Sequence, residues 1–172
     1  LHVLAGLAGD LAQRSQQLAV DAWGYDIGEK AELVVAAIAG DPDIQSWENF
    51  SRALHTAQQL CIPGGTIVLC TGLDQPPGPA LRKLSHSEDK EQLLQRIGND
   101  RSIDAISAWL LVDARDVCHV YLLSQLDESI VESLGIGFVD SPAHINRLSE
   151  HCKSCILLTD AHRAAAVAGE SL

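Results

Sequence analysis

Leu33-Val-Val-Ala-Ala-Ile-Ala39 and Thr66-Ile-Val-Leu-Cys70 carry the fold class. Neither run alternates polar with apolar residues. A strand reads that way when both of its faces are covered, as in a parallel sheet flanked by helices, whereas a strand with one wet face alternates. Between the two runs, Trp47, Phe50, Leu54, Ala57 and Cys61 fall at spacings of three and four, which gives the helix expected over Ile44–Leu60 one apolar stripe. Glu48, Arg52 and His55 stand on its opposite face. Pro63-Gly64-Gly65 then turns the chain from helix into strand.

The same alternation extends outward in both directions. Further strands are expected at Val3–Leu7, His119–Leu123, Gly137–Val139 and Cys155–Thr159, and further helices at Leu11–Ala22, Ser87–Ile97, Ile103–Ala114, Glu128–Leu134 and Ala143–His151. The expected fold class is α/β: a mostly parallel sheet of about five strands with helices on both faces, a Rossmann-like three-layer sandwich. In such sheets ligands bind outside the C-terminal ends of the strands. Gly40-Asp41-Pro42-Asp43 and the Pro-rich stretch Asp74–Ala80 follow two strands and stand at such ends, as cleft walls or as rigid connectors.

A chain of 172 residues is one ordinary domain, long enough to bury roughly two-thirds of its unfolded surface, and residues 1–172 are read as a single α/β domain. It opens at Leu1 and holds no methionine, so it is expected to be a piece of a longer two-domain protein. Leu1–Gly9 lacks the basic start of a signal peptide and is read as a strand. A formal charge of −11, with twelve basic residues scattered singly, excludes a nucleic-acid partner. No apolar run approaches the roughly 18 residues of a membrane span, so no membrane partner is expected.

Five cysteines in a domain of adequate size argue for a reducing, cytoplasmic compartment. Cys152-x-x-Cys155 lacks a second ligand pair for zinc and has its helix before it and its strand after it, the reverse of a thioredoxin-like motif, so both cysteines are read as structural and no metal site is expected. The seven histidines are dispersed, with none paired at helical spacing. Gly-x-Gly-x-x-Gly, Walker and Gly-x-Ser-x-Gly motifs are absent.

Ala31-Glu-Leu-Val-Val-Ala-Ala-Ile-Ala-Gly40-Asp-Pro-Asp-Ile44, then Arg52-Ala-Leu54, then Pro63-Gly-Gly-Thr-Ile-Val-Leu69 resembles the nickel-dependent lactate racemase family. That family has a strand ending in Gly-rich sequence, an Asp-Ile dipeptide, a helix with Lys-Ala-Leu and a Gly-Gly turn into a second buried strand, in this order. Tyr121–Glu128, Leu134-Gly135 and Ile156–Asp160 run parallel to its C-terminal end. The resemblance implies the C-terminal domain of a 2-hydroxy-acid racemase or epimerase. It would close an active-site cleft against an N-terminal domain that carries a nickel-pincer nucleotide and two histidine bases. No cofactor is expected in the present residues. The implied partners are that domain and a small 2-hydroxy acid.

Carried onto this chain, the resemblance makes Arg52 the catalytic contact, with Trp47, Glu48, Asn49, Gly40 and Asp41 as substrate or cofactor contacts. The chain departs from the family at this helix. Glu48 and Asn49 occupy the places of a Tyr-Gln pair, Trp47 offers the aromatic one residue earlier, and Arg52 replaces a lysine, which keeps the charge and changes its geometry. Read from the helix alone, Glu48 and Arg52 are a solvated i, i+4 ion pair in the favourable orientation. The alternative function is a non-catalytic α/β binding or interaction domain.

Overall fold

The computed structural model describes residues 3–86, 90–99 and 101–168. In chain order its elements are α1 (Ala8–Trp23), β1 (Gly24–Ile27), β2 (Ala31–Ala37), α2 (Trp47–Leu60), β3 (Cys61–Cys70), α3 (Pro79–Arg82), α4 (Lys90–Gly98), α5 (Ala105–Val117), β4 (His119–Leu123), α6 (Glu128–Ser133), β5 (Gly137–Phe138), α7 (Pro142–Ser149), β6 (Cys155–Leu158) and β7 (Ala165–Ala168). The main sheet has five strands in the order β5-β4-β3-β2-β6, all parallel. This is the α/β sheet that the unalternating runs predict.

Register explains why those runs are apolar throughout. Ile156, Val34, Ile67 and Val120 lie side by side across β6, β2, β3 and β4, in one row of β-branched side chains on one face. That face carries the main core, with Phe50, Leu54 and Leu60 of α2, Leu111 of α5 and Val131 of α6 packed on it. Neighbouring residues along the strands point the other way. Leu33, Val68 and Val139 form a second, smaller cluster against Ile145 and Leu148 of α7. Helices therefore cover both faces, unequally, and Leu157 of the edge strand β6 remains 75% exposed.

The two-sided cover follows from the strand order. Successive crossovers from β2 to β5 step one way along the sheet, and the crossover from β5 to β6 steps back past β2. Right-handed connections that reverse direction must change faces, which sends α7 to the side opposite α2 and α5.

Trp47, Phe50, Leu54, Ala57 and Cys61 are all buried, as their spacing requires. Helix α2 starts later than Ile44, because Pro42–Ile44 forms a separate 3-10 turn and the Ser46 hydroxyl then accepts the Asn49 N–H at 3.3 Å as the helix cap. Ala31 pairs with Cys61 and Leu33 with Thr66, so Ile62–Gly65 bulges within β3 where the Pro-Gly-Gly turn was expected. Ser87, the expected start of a helix, lies outside the described residues, and α4 begins at Lys90.

The first expected strand is not one. Residues 3–7 are irregular, with Val3 89% and Leu7 78% exposed, and an apolar run without a neighbouring strand gains nothing by extending. Leu1 and His2, part of the stretch Leu1–Gly9 read as strand, lie outside the described residues. The first strand is β1, which pairs in parallel with β7 as a separate two-stranded sheet, Gly24 opposite Ala165 and Ile27 opposite Ala168. Neither sequence advertises a strand, since Gly, Asp and Ala are depleted in strands; long-range pairing overrides local preference. α1 packs on this pair, and β7 packs on α2, where the Thr56 hydroxyl donates to the Ala164 carbonyl at 3.0 Å. No helix among the described residues is long and apolar enough to cross a membrane.

Asp104 is buried, and its carboxylate accepts the N–H groups of Ala80 at 3.1 Å and Leu81 at 3.0 Å, capping α3 from a distant part of the chain. Asp104→Ala leaves both donors without an acceptor. The urea midpoint is expected to fall by the equivalent of about 2 kcal/mol at unchanged slope, and an unshifted midpoint contradicts the cap.

Candidate functional site

Because all five strands of the main sheet are parallel, their C-terminal ends share one edge, where a crevice can open between loops. A cavity of about 470 Å³ lies there, bounded by Ile38, Gly40 and Pro42 after β2, by Gly72 and Asp74 after β3, and by Gln125 after β4. Gly40 has φ +116°, and a Cβ there would stand 2.8 Å from Ile44 Cδ1, so the turn out of β2 requires glycine.

Gln45 holds the two principal walls together. Its side chain is buried; Nε2 donates to the carbonyls of Ile38 at 3.2 Å and Gly40 at 3.4 Å, and Oε1 accepts from the Thr71 hydroxyl at 2.7 Å and the Gly72 N–H at 2.8 Å. All four hydrogen-bonding positions of the amide are used. The loop after β2 is thereby fixed to the loop after β3. Trp47 pins the Pro-rich segment in the same way, its indole N–H donating to the carbonyls of Gln75 at 3.0 Å and Pro76 at 3.2 Å, while its ring packs edge-on against Phe50.

The residues singled out in the sequence are distributed unevenly around this cavity. Gly40 lines it, and Asp41 adjoins it as the cap of the 3-10 turn. Trp47 is buried, and Asn49 donates to the Ile44 carbonyl at 2.8 Å. Arg52 and Glu48 form an ion pair of 2.6 Å on the exposed side of α2, with side chains 59% and 73% accessible, and neither is among the residues lining the cavity. The rim that is present is acidic: Asp74 lines it, and Asp41 and Asp43 are exposed beside it.

The strand order reverses at β2, which pairs with β3 on one side and with β6 on the other. The turn after β6 is joined to β2 by the Ala161 N–H, which donates to the Ala37 carbonyl at 3.0 Å, and it contains Asp160 at φ +49°. His162 in this turn is 9% exposed, and neither ring nitrogen has a hydrogen-bond partner. Burial pushes its pKa below the ordinary value, the charges of Arg163 and Arg52 push the same way, and Asp160 opposes them. Neither buried side chain is legible in the sequence: Gln45 stands at the start of the helix expected over Ile44–Leu60 but outside its apolar stripe, and His162 lies between Ala161 and Arg163 with no motif around it.

The cysteines are free thiols. Cys61 and Cys118 are buried, and burial pushes the Cys61 thiol up to about 12. Cys155 is exposed and also raised by desolvation, and the Cys152 thiol donates to the Leu148 carbonyl at 3.4 Å. Thiols held protonated are poor nucleophiles. Among the described residues no three His, Cys, Asp or Glu side chains converge to hold a metal ion.

Two predictions follow from this geometry. Gln45→Leu keeps the volume but removes four hydrogen bonds of a buried side chain, and should destabilise the domain by on the order of 3 kcal/mol in equilibrium denaturation; a change near zero contradicts the clamp. His162 has a folded pKa below its unfolded value of about 6.5, so below that pH the unfolded chain binds more protons. Its stabilising contribution is complete above about pH 6.5 and is lost as pH falls towards the folded pKa. Melting temperature measured from about pH 7.5 down to 5.5 should therefore drop less steeply in His162→Leu than in the parent chain, and parallel curves would exclude the effect.

No protein-family model matches the sequence, and no curated protein matches it. Among solved structures, the chain is similar to the lactate racemase apoprotein from Thermoanaerobacterium thermosaccharolyticum, with a TM-score of 0.75 at 12% identity over 90% of this chain and 40% of that one. It is also similar to a structural-genomics protein from Thermotoga maritima, with a TM-score of 0.60 at 13% identity over 91% of this chain and 41% of that one. The chain spans about two-fifths of the length of these solved chains, and at such identities the likeness is one of fold: this chain has the architecture of a part of the lactate racemase apoprotein.

Proposed function

We propose that this chain is a domain of a 2-hydroxy-acid racemase or epimerase of lactate-racemase type, standing C-terminal to a cofactor-carrying domain and closing the active-site cleft over the substrate. The observation that carries the reading is the fold shared with the lactate racemase apoprotein across most of the chain. The order of the motifs around Gly40, Arg52 and Pro63-Gly64-Gly65 supports it independently.

In this reading Arg52 supplies the cation for the substrate carboxylate. Its present partner, Glu48, is exposed, and exposed pairs contribute only about 0.2–1 kcal/mol, so a carboxylate arriving in a water-depleted cleft displaces Glu48 readily. A guanidinium can then fork onto both carboxylate oxygens. The Gln45 clamp and the Trp47 anchor keep the loops beside it rigid, which holds a bound substrate in register.

A nickel-pincer nucleotide, were one bound, would supply a hydride acceptor for the hydroxyl-bearing carbon. The described residues do not suit that group. No metal-holding cluster is present among them, and the cavity lining includes no lysine; in this reading the cofactor is carried by the partner domain.

A second reading is a non-catalytic binding domain that keeps the fold. Trp47 and Asn49, two of the positions implied by the resemblance, have their polar groups taken up by carbonyls of the chain itself, which favours it. Arg52→Ala in the full-length protein separates the two. With interconversion of 2-hydroxy-acid enantiomers followed by chiral chromatography, kcat/KM should fall at least about thirtyfold, corresponding to about 2 kcal/mol. Unchanged turnover returns Arg52 to its role as the surface partner of Glu48, and absence of turnover in the parent protein favours the second reading.

A further inference from the structure

At the opposite edge of the sheet, where the strands begin, β5 is only two residues long and pairs with Tyr121 and Leu122 of β4. His119 and Val120 have β3 on one side and no strand on the other. A cavity of about 280 Å³ occupies the gap, lined by Arg115, Cys118, His119, Tyr121, Gly135 and Gly137.

Arg115 is the unusual member. It lies in the last turn of α5 and is half-buried, and burial pushes its pKa down. Its Nη1 donates to the Leu134 carbonyl at 2.7 Å, at the end of α6, which uses one of the five N–H donors of a guanidinium. No carboxylate among the described residues pairs with it. Taking a cation partly out of water without a counter-charge is unfavourable, and in a chain of net charge −11 an acidic neighbour is the expected remedy. The two glycines show how closely the side chains pack around the gap. A Cβ at Gly135, which has φ +69°, would overlap the Arg115 guanidinium, and one at Gly137 would overlap the Tyr121 ring.

We propose that this cavity is a binding site for a small oxyanion, a phosphate or carboxylate group, held by the Arg115 guanidinium beside His119 and Tyr121. A guanidinium offers parallel donors matched to two oxygens of either group. A cationic ligand is repelled there, and an apolar one leaves the donors without acceptors. The site lies at the far end of the strands from the cavity after β2 and β3, so it neither requires nor supports the racemase reading.

The test uses the purified chain and the histidine-ring signals in its NMR spectrum. Inorganic phosphate and acetate are titrated separately against sodium chloride of equal ionic strength. One imidazole, assigned to His119 by its loss in His119→Asn, should shift saturably with one of the two anions and not with chloride. Preference for phosphate identifies a phosphoryl group, and preference for acetate a carboxylate. Arg115→Gln should abolish the saturable shift. Arg115→Lys, which keeps the charge and loses the fork, should weaken it by about tenfold, and it decides the matter if the glutamine variant does not fold. A response to both anions no larger than that to chloride overturns the proposal, as does a titration that Arg115→Lys leaves unchanged.

Discussion

Everything in the main sheet is referred to β2. It pairs with β3 on one edge and with β6 on the other, and Leu33, Val34 and Ala36 are buried on its two faces. A strand with no wet face and no free edge cannot shift register without stranding both neighbours. The chain walks outward from β2 to β5 and must return to find β6, and the handedness of that return puts α7 on the opposite face from α2. The placement of α7 and the uneven cover of the two faces both descend from that one reversal.

The parts of this fold that were legible in the sequence are those whose physics is local or periodic. The apolar runs around Val34 and Ile67 and the stripe from Trp47 to Cys61 announce their burial directly, because burial and periodicity are the same fact seen twice. The β1–β7 pair announces nothing. Its strands are weak formers made strands by each other, across the length of the domain, while Val3–Leu7 has the composition of a strand and no neighbour. The candidate site divides in the same way. Gly40 was readable because a strand must turn there. Gln45 was not, since a lone amide gives no sign that four hydrogen bonds converge on it, and the cavity it supports is assembled from three loops far apart in the chain.

Charge is distributed with more structure than the net value suggests. The cavity at the C-terminal edge has an acidic rim, while Arg52 is occupied with Glu48 and Arg115 stands at the other end of the strands with no acidic partner among the described residues. An anion approaching the C-terminal edge meets Asp41, Asp43 and Asp74, so selectivity there depends on which of these it can avoid. In this respect the domain is less prepared for a free anion than for one presented in a fixed orientation by another surface.

The pairing of β1 with β7 also bears on how the chain is made. During synthesis β1 leaves the ribosome long before β7, and α1 packs chiefly on that pair. The large loop between the two strands must be closed by the whole of the main sheet before the small one can form. The docking of α1 and β1 is therefore tied to the completion of β2 to β6, which brings β7 back to them.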